Sequence, residues 1–157
     1  MDMPSRSAAS GGASRELLSF RVGAQEFCID IMAVREIRGW TPATALPHAP
    51  SYLRGIVNLR GTVLPVLDLA NRLGFGTTEI TPQHVIIVIQ IETRIIGLLV
   101  SSVCDILAVT DDMLQPTPDI ASGPARAFVQ GLLNVQDRMV SLLRTDQLIP
   151  IEEMEMA

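Results

Sequence analysis

Along most of this 157-residue chain, apolar and polar positions alternate in short runs bounded by turn residues, the period-2 signature of strands. LLSFRV at 17–22 and EFCIDI at 26–31 flank Gly23 and Ala24, which predicts a hairpin, and Phe27, Ile29 and Ile31 alternate with Cys28 and Asp30. AVREIRG at 33–39, if extended, places Val34 and Glu36 on one face and Arg35 and Ile37 on the other. TPATALPHAPSYLRG at 41–55 carries three prolines and predicts a rigid, mainly extended connection with one helical turn near Tyr52. Strands resume at Gly55.

Self-comparison shows a repeat. A shift of 69 positions lays 95–106 on 26–37, so that Ile29 meets Leu98, Val34 meets Val103, Glu36 meets Asp105 and Ile37 meets Ile106. Farther on, a shift of 76 lays GLLNVQDRMVSLL on GIVNLRGTVLPVL, with Gly55 on Gly131 and Asn58 on Asn134. Pro-rich segments between the two blocks absorb the difference. One unit of about five short strands is thus used twice, and a small closed barrel is the arrangement that leaves such a unit no exposed edges. The expectation is all-β, two barrels packed side by side, with short helices at the Pro-rich connector, around DLANRLG at 68–74, and at the C-terminus. Residues 1–14 read as a flexible tail, 15–150 as one domain of two barrels (about 15–84 and 85–150, with terminal strands free to cross over), and 151–157 as an acidic tail.

Composition narrows the function. Apolar residues make up 48% and aromatics 4%, so Ile, Leu and Val build the core; charged residues are 18% with a net charge of −5, which weighs against nucleic acid. An oligonucleotide-binding barrel also needs aromatic and basic side chains on one face. The N-terminal stretch lacks the apolar core of a signal peptide, and Glu92 and Arg94 break the most apolar window short of a membrane span, so a soluble cytoplasmic chain without membrane insertion is expected. Cys28 and Cys104 both sit in apolar runs and read as buried thiols. His48 and His84 pair with no nucleophile, Asp111 and Asp112 fit a turn better than a metal site, and no phosphate-cradling glycine loop is present. No catalytic residue, metal site or cofactor is expected.

What remains is a pair of isolated charges. In GIVNLRGTVLPVLDLANRLG at 55–74, Gly61 supplies the positive φ of a tight hairpin, whereas Arg60 lies within an apolar stretch, as Glu36 does within another. Burying either without a partner is costly, which predicts a Glu36–Arg60 ion pair between strands. The matching positions in the second unit are Asp105 and Gln136, so that pair is not expected to recur, and the first unit is the expected functional one.

The ordered set FCIDIMAVREIRGW, LPHAPSYLRGIVNLRGTVLPVLDLANRLG and IIGLLVSSVCDIL resembles the CheW family of chemotaxis coupling proteins over about 17–149. The resemblance implies two SH3-like five-stranded β-barrels and a non-enzymatic adaptor, cytoplasmic and recruited to membrane-associated receptor arrays. The implied partners are the regulatory domain of the histidine kinase CheA and the cytoplasmic tip of methyl-accepting chemoreceptors. It carries over Val34, Glu36, Gly55 and Arg60 as partner-binding residues of an inter-barrel groove, and Gly97 and Gly131 as glycines near partner-facing surfaces of the second barrel. The reading from another class is a small-ligand-binding or enzymatic double β-barrel with its site in the inter-barrel cleft.

Overall fold

The computed structural model describes residues 14–116 and 124–148. The expected N-terminal tail, apart from Ser14, and the expected acidic C-terminal tail lie outside the described residues. Eleven strands follow in chain order: β1 (Ser14–Val22), β2 (Gln25–Asp30), β3 (Val34–Gly39), β4 (Leu53–Leu59), β5 (Thr62–Asp68), β6 (Val85–Ile91), β7 (Arg94–Val100), β8 (Ser102–Thr110), β9 (Leu114–Gln115), β10 (Val129–Val135) and β11 (Arg138–Leu143). Among the described residues the α-helix is a single turn, α1 (Leu69–Arg72), capped by the Asp68 carboxylate, which accepts from Asn71 N–H at 3.4 Å. 3-10 turns cover Ile31–Ala33, Asp111–Met113, Pro124–Phe128 and Thr145–Gln147. The chain is all-β as expected, with helix where DLANRLG predicts it. The Pro-rich connector corrects the reading: it holds turns at 47–48 and 51–52 and no helix, because its prolines withdraw the amides a helix would use. Ser14, Arg15 and Glu16 also extend β1 by pairing with Thr110, Val109 and Ala108, so strand begins earlier than Leu17.

Two sheets form, ordered β3-β6-β7-β5-β4 and β8-β1-β2-β11-β10-β9. They do not divide the chain at residue 84. β6 and β7 join β3, β4 and β5, while β1 and β2 join the C-terminal strands, so each half of the chain lends its first hairpin to the other sheet. The repeat predicts the pairings residue by residue. Val66 lies opposite Gly97 in the parallel β5–β7 ladder, and their repeat mates Leu142 and Cys28 lie opposite one another in β11–β2. Arg38 faces Ile86 as Leu107 faces Leu17.

Exchange explains the continuous apolar runs of the lent hairpins. Ile86, Val88 and Leu99 point into the core of the first sheet with Val57, Leu59, Leu64 and Val66. Their neighbours Ile87, Ile89, Ile96 and Leu98 point the other way, into a core shared with Leu18, Phe20, Phe27 and Ile29 of β1 and β2. Leu17 and Cys28 fill the interior of the second sheet with Leu107, Leu133, Val140 and Leu142. Strands buried on both faces need no alternation.

Candidate functional site

Glu36 enters the site through a β-bulge. Between Val34 and Glu36, β3 takes two steps while its partner β6 takes one, from Ile89 to Val88, so Arg35 is the extra residue and Glu36 is re-aimed. Arg60 arrives from the opposite end of the strand order, on the two-residue turn between Leu59 and Thr62. Arg60 at φ +51° and Gly61 at φ +83° both adopt the left-handed conformation of a type I′ hairpin, and Gly61 N–H donates to Asn58 Oδ1 at 2.9 Å. Arg60 Nη2 then donates to Glu36 Oε1 at 2.7 Å. Since β3 and β4 are the two ends of the sheet, this bond ties the ends together.

Arg38, two residues along the same strand, donates through Nη1 to Glu36 Oε2 at 3.0 Å. The carboxylate is therefore held between two guanidinium groups, and hydrogen bonding from Arg60, then from Arg38, lowers its pKa below the ordinary value of 4.5. Arg60 remains 70% exposed, so its outer face is free to meet a partner while it holds Glu36. Exposed Ile37 lies next to Glu36 along β3 and exposed Val63 follows the Arg60 turn. Ile37 projects from the face of β3 opposite Glu36 and Arg38, so the triad itself presents fixed charges, which give register at a protein surface.

Of the six residues carried over from the resemblance, the structure brings Glu36 and Arg60 into contact. Val34 lies one bulge away, half-buried against the shared core. Gly55, at φ +147°, has the Thr44 carbonyl oxygen 2.3 Å from where a Cβ would stand, because the connector bonds back to Ile56 through two 2.8 Å backbone hydrogen bonds. Gly131 is its repeat mate in space as well, with the Gln115 carbonyl oxygen 2.7 Å from its virtual Cβ. Gly97 has Ile86 Cγ2 2.7 Å from where a Cβ would stand. The three glycines are buried close-approach positions behind the surfaces, and Gly97 and Gly131 do not join the Glu36 triad. Arg38 was missed, although its period-2 spacing from Glu36 is the signal that places it on the same face.

The second sheet shows a relative of this closure. Gln136 makes no ion pair, but Asp105 lies 3.7 Å from Arg138, which also approaches buried Glu26 at 3.6 Å. The Glu36–Arg60 pair is thus not copied residue for residue, yet an acid on β8 still meets a cation of the β10–β11 hairpin. Exposed Ile106 and Met139 are the repeat mates of Ile37 and Val63.

Cys104 corrects the expectation of two buried thiols: Cys28 is buried, Cys104 exposed. A second bulge is the cause, with Val103 to Ile106 on β8 set against Phe20 to Leu18 on β1, so that Cys104, Asp105 and Ile106 all lie outward. Burial, then the Glu26 carboxylate, pushes the Cys28 thiol up to about 12, and the same causes raise that of Cys104. Neither is an activated nucleophile. His84 Nδ1 accepts from Thr81 N–H at 3.0 Å, and no group of three His, Cys, Asp or Glu able to hold a metal occurs among the described residues. No helix among them is long and apolar enough to cross a membrane.

Comparison with known proteins decides the family. The family model for the CheW-like domain matches residues 16–153. The chain belongs to the CheW family. The chemotaxis protein CheW of Rhizobium meliloti (strain 1021) is 57% identical over 143 residues, covering 91% of this chain and 92% of that protein. CheW of Klebsiella aerogenes is 33% identical over 140 residues, covering 89% and 84%. Among solved structures, the scaffolding protein TtCheW from Thermoanaerobacter tengcongensis superposes with a TM-score of 0.80 at 27% identity, covering 88% of this chain and 94% of that one. CheW membership makes the chain an adaptor of chemotaxis signalling, and the two exchanged sheets are the scaffold on which it presents its surfaces.

Proposed function

We propose that this member of the CheW family is a non-catalytic coupler that binds the regulatory domain of the histidine kinase CheA and the cytoplasmic tip of a methyl-accepting chemoreceptor, and is recruited from the cytoplasm to receptor arrays. The observation that carries the reading is the triad: Glu36 is fixed between Arg38 and Arg60, and Arg60, 70% exposed on its hairpin turn next to exposed Val63, is left able to meet a partner. Val34, Glu36 and Arg60 form the contact surface in this reading. Gly55, Gly97 and Gly131 act behind it, by letting neighbouring strands approach. A receptor tip would bind as an amphipathic helix in an apolar groove. Single contacts of this size are weak, about micromolar, and array multivalency raises their effective strength. The receptor then controls the kinase through a coupling free energy between the two bound partners.

Calorimetric titration with the regulatory domain of a CheA from the same source, then with the receptor tip, tests this. Saturable binding to both, weakened at least tenfold by Arg60→Ala with circular dichroism unchanged, is expected. Binding to neither by the folded protein overturns it.

A further inference from the structure

The repeat places one unlike residue at the seam between the sheets. Tyr52, before β4, and Phe128, before β10, are 76 positions apart and are repeat mates; so are Arg72, at the end of α1, and Leu148. In space these four meet. The Arg72 guanidinium carbon stands 4.4 Å from the centroid of the Tyr52 ring and 4.8 Å from that of Phe128, and Arg72 Nε donates to the Leu148 carbonyl oxygen. Tyr52 and Arg72 belong to the first sheet's half of the seam, Phe128 and Leu148 to the second.

Packing around the group shows that it is held rather than merely nearby. Leu148 is fully buried and Tyr52 nearly so, both in the shared core, with Phe128 packed against it. Burial lowers the Arg72 pKa. The Tyr52 hydroxyl is buried with no hydrogen-bond partner among the described residues, so its ring face is what the site uses. A planar guanidinium can lie against two rings while an N–H in its plane reaches a carbonyl, a combination an ammonium group cannot match. Elsewhere the shared core is aliphatic and aromatic, and apolar contact sets no unique sliding position. A directional group at the seam does.

We propose that Arg72 is a positioning residue that fixes the orientation of the two sheets, by inserting one repeat's cation between the paired aromatic rings of both repeats and bonding it to the other repeat's backbone. The role is separate from the partner-binding surfaces and acts on the distance between them.

The test uses the full chain with Cys104→Ser, leaving Cys28 buried, and spin labels at Val63→Cys and Met139→Cys, exposed mates on the two sheets. Pulsed electron spin resonance then reads the distance between sheets. The parent gives one narrow distribution. Arg72→Lys is expected to broaden or shift it while circular dichroism stays unchanged, Phe128→Leu to do the same, and Tyr52→Phe to leave it narrow. Native-state hydrogen exchange supplies the second readout: the Arg144 amide, which donates to the Phe128 carbonyl at 2.8 Å, exchanges at least tenfold faster in Arg72→Lys, with Val66 and Leu142 unaffected. An unchanged distribution in both Arg72→Lys and Phe128→Leu, or exchange that rises equally at seam and strand interior, overturns the proposal.

Discussion

Glu36 owes its properties to two neighbours, and their removal has a definite sign. Its folded-state pKa lies below its unfolded value, so the stabilisation it contributes is fully present above the unfolded value of about 4.5 and is lost as pH falls through the lower, folded one. An NMR titration of the Glu36 carboxyl should therefore show a midpoint below 4.5 that moves up in Arg60→Ala, the larger cause, and moves less in Arg38→Ala. Equal midpoints in parent and Arg60→Ala would remove the pair. For kinase-domain binding, Glu36→Arg and Arg60→Glu should each weaken affinity, and the double reversal should recover part of the loss. Recovery is partial because Arg38, 3.0 Å from the native carboxylate, repels an arginine at position 36. Losses that simply add would show that the two residues act independently. The charges themselves were legible as isolated cations and anions in apolar runs. Arg38 was legible too, through its period-2 spacing from Glu36 in a strand, whereas the exposure of Cys104 was not, because it depends on a bulge that breaks the alternation from which burial is inferred.

At the scale of elements, glycines separate two physical demands that look identical in sequence. Gly61 has a left-handed φ but open space around its virtual Cβ, so Gly61→Ala should cost about 1 kcal/mol. Gly55 combines φ +147° with the Thr44 carbonyl oxygen 2.3 Å from that Cβ, and that carbonyl is held in place by accepting from Ile56 N–H at 2.8 Å. Gly55→Ala should cost about 3 kcal/mol or more by urea unfolding. Similar costs at the two positions would mean that the connector yields. The repeat was readable because the same register is used twice, down to the bulges at Arg35 and Cys104 and the close approaches at Gly55 and Gly131. Which sheet each hairpin joins was not read from the repeat, because matching segments are interchangeable in a self-comparison.

Connector length decides that question for the whole molecule. Were β1 and β2 to stay with β3, β4 and β5 in the order the sheets use, β2 and β3 would run parallel within one sheet. A parallel connection needs a crossover of about a dozen residues, whereas 31–33 span three and 101 is a single residue between β7 and β8. Three residues reach roughly 10 Å, less than the length of the strand they would have to retrace. The chain therefore passes from one sheet into the next through the 3-10 turn at Ile31–Ala33 and through residue 101, and the absence of Gly or Pro between EFCIDI and VREIRG is the sequence sign of it. Exchange makes the two sheets a single cooperative unit: neither completes its ladder, nor covers its share of the common core, without strands from both halves. Fragments 1–84 and 85–157 should each lack the circular dichroism and amide dispersion of folded sheet when alone. Mixed at equal concentration they should associate and regain both, with a midpoint that rises with concentration as for any bimolecular fold. Ile96→Ala, in the shared core and fully buried, should lower the stability of the intact chain by about 2–5 kcal/mol in one transition seen alike by probes on either sheet. Two separate transitions, or a half-chain that folds unaided, would show that the sheets are independent barrels and that the exchanged hairpins are incidental to their stability.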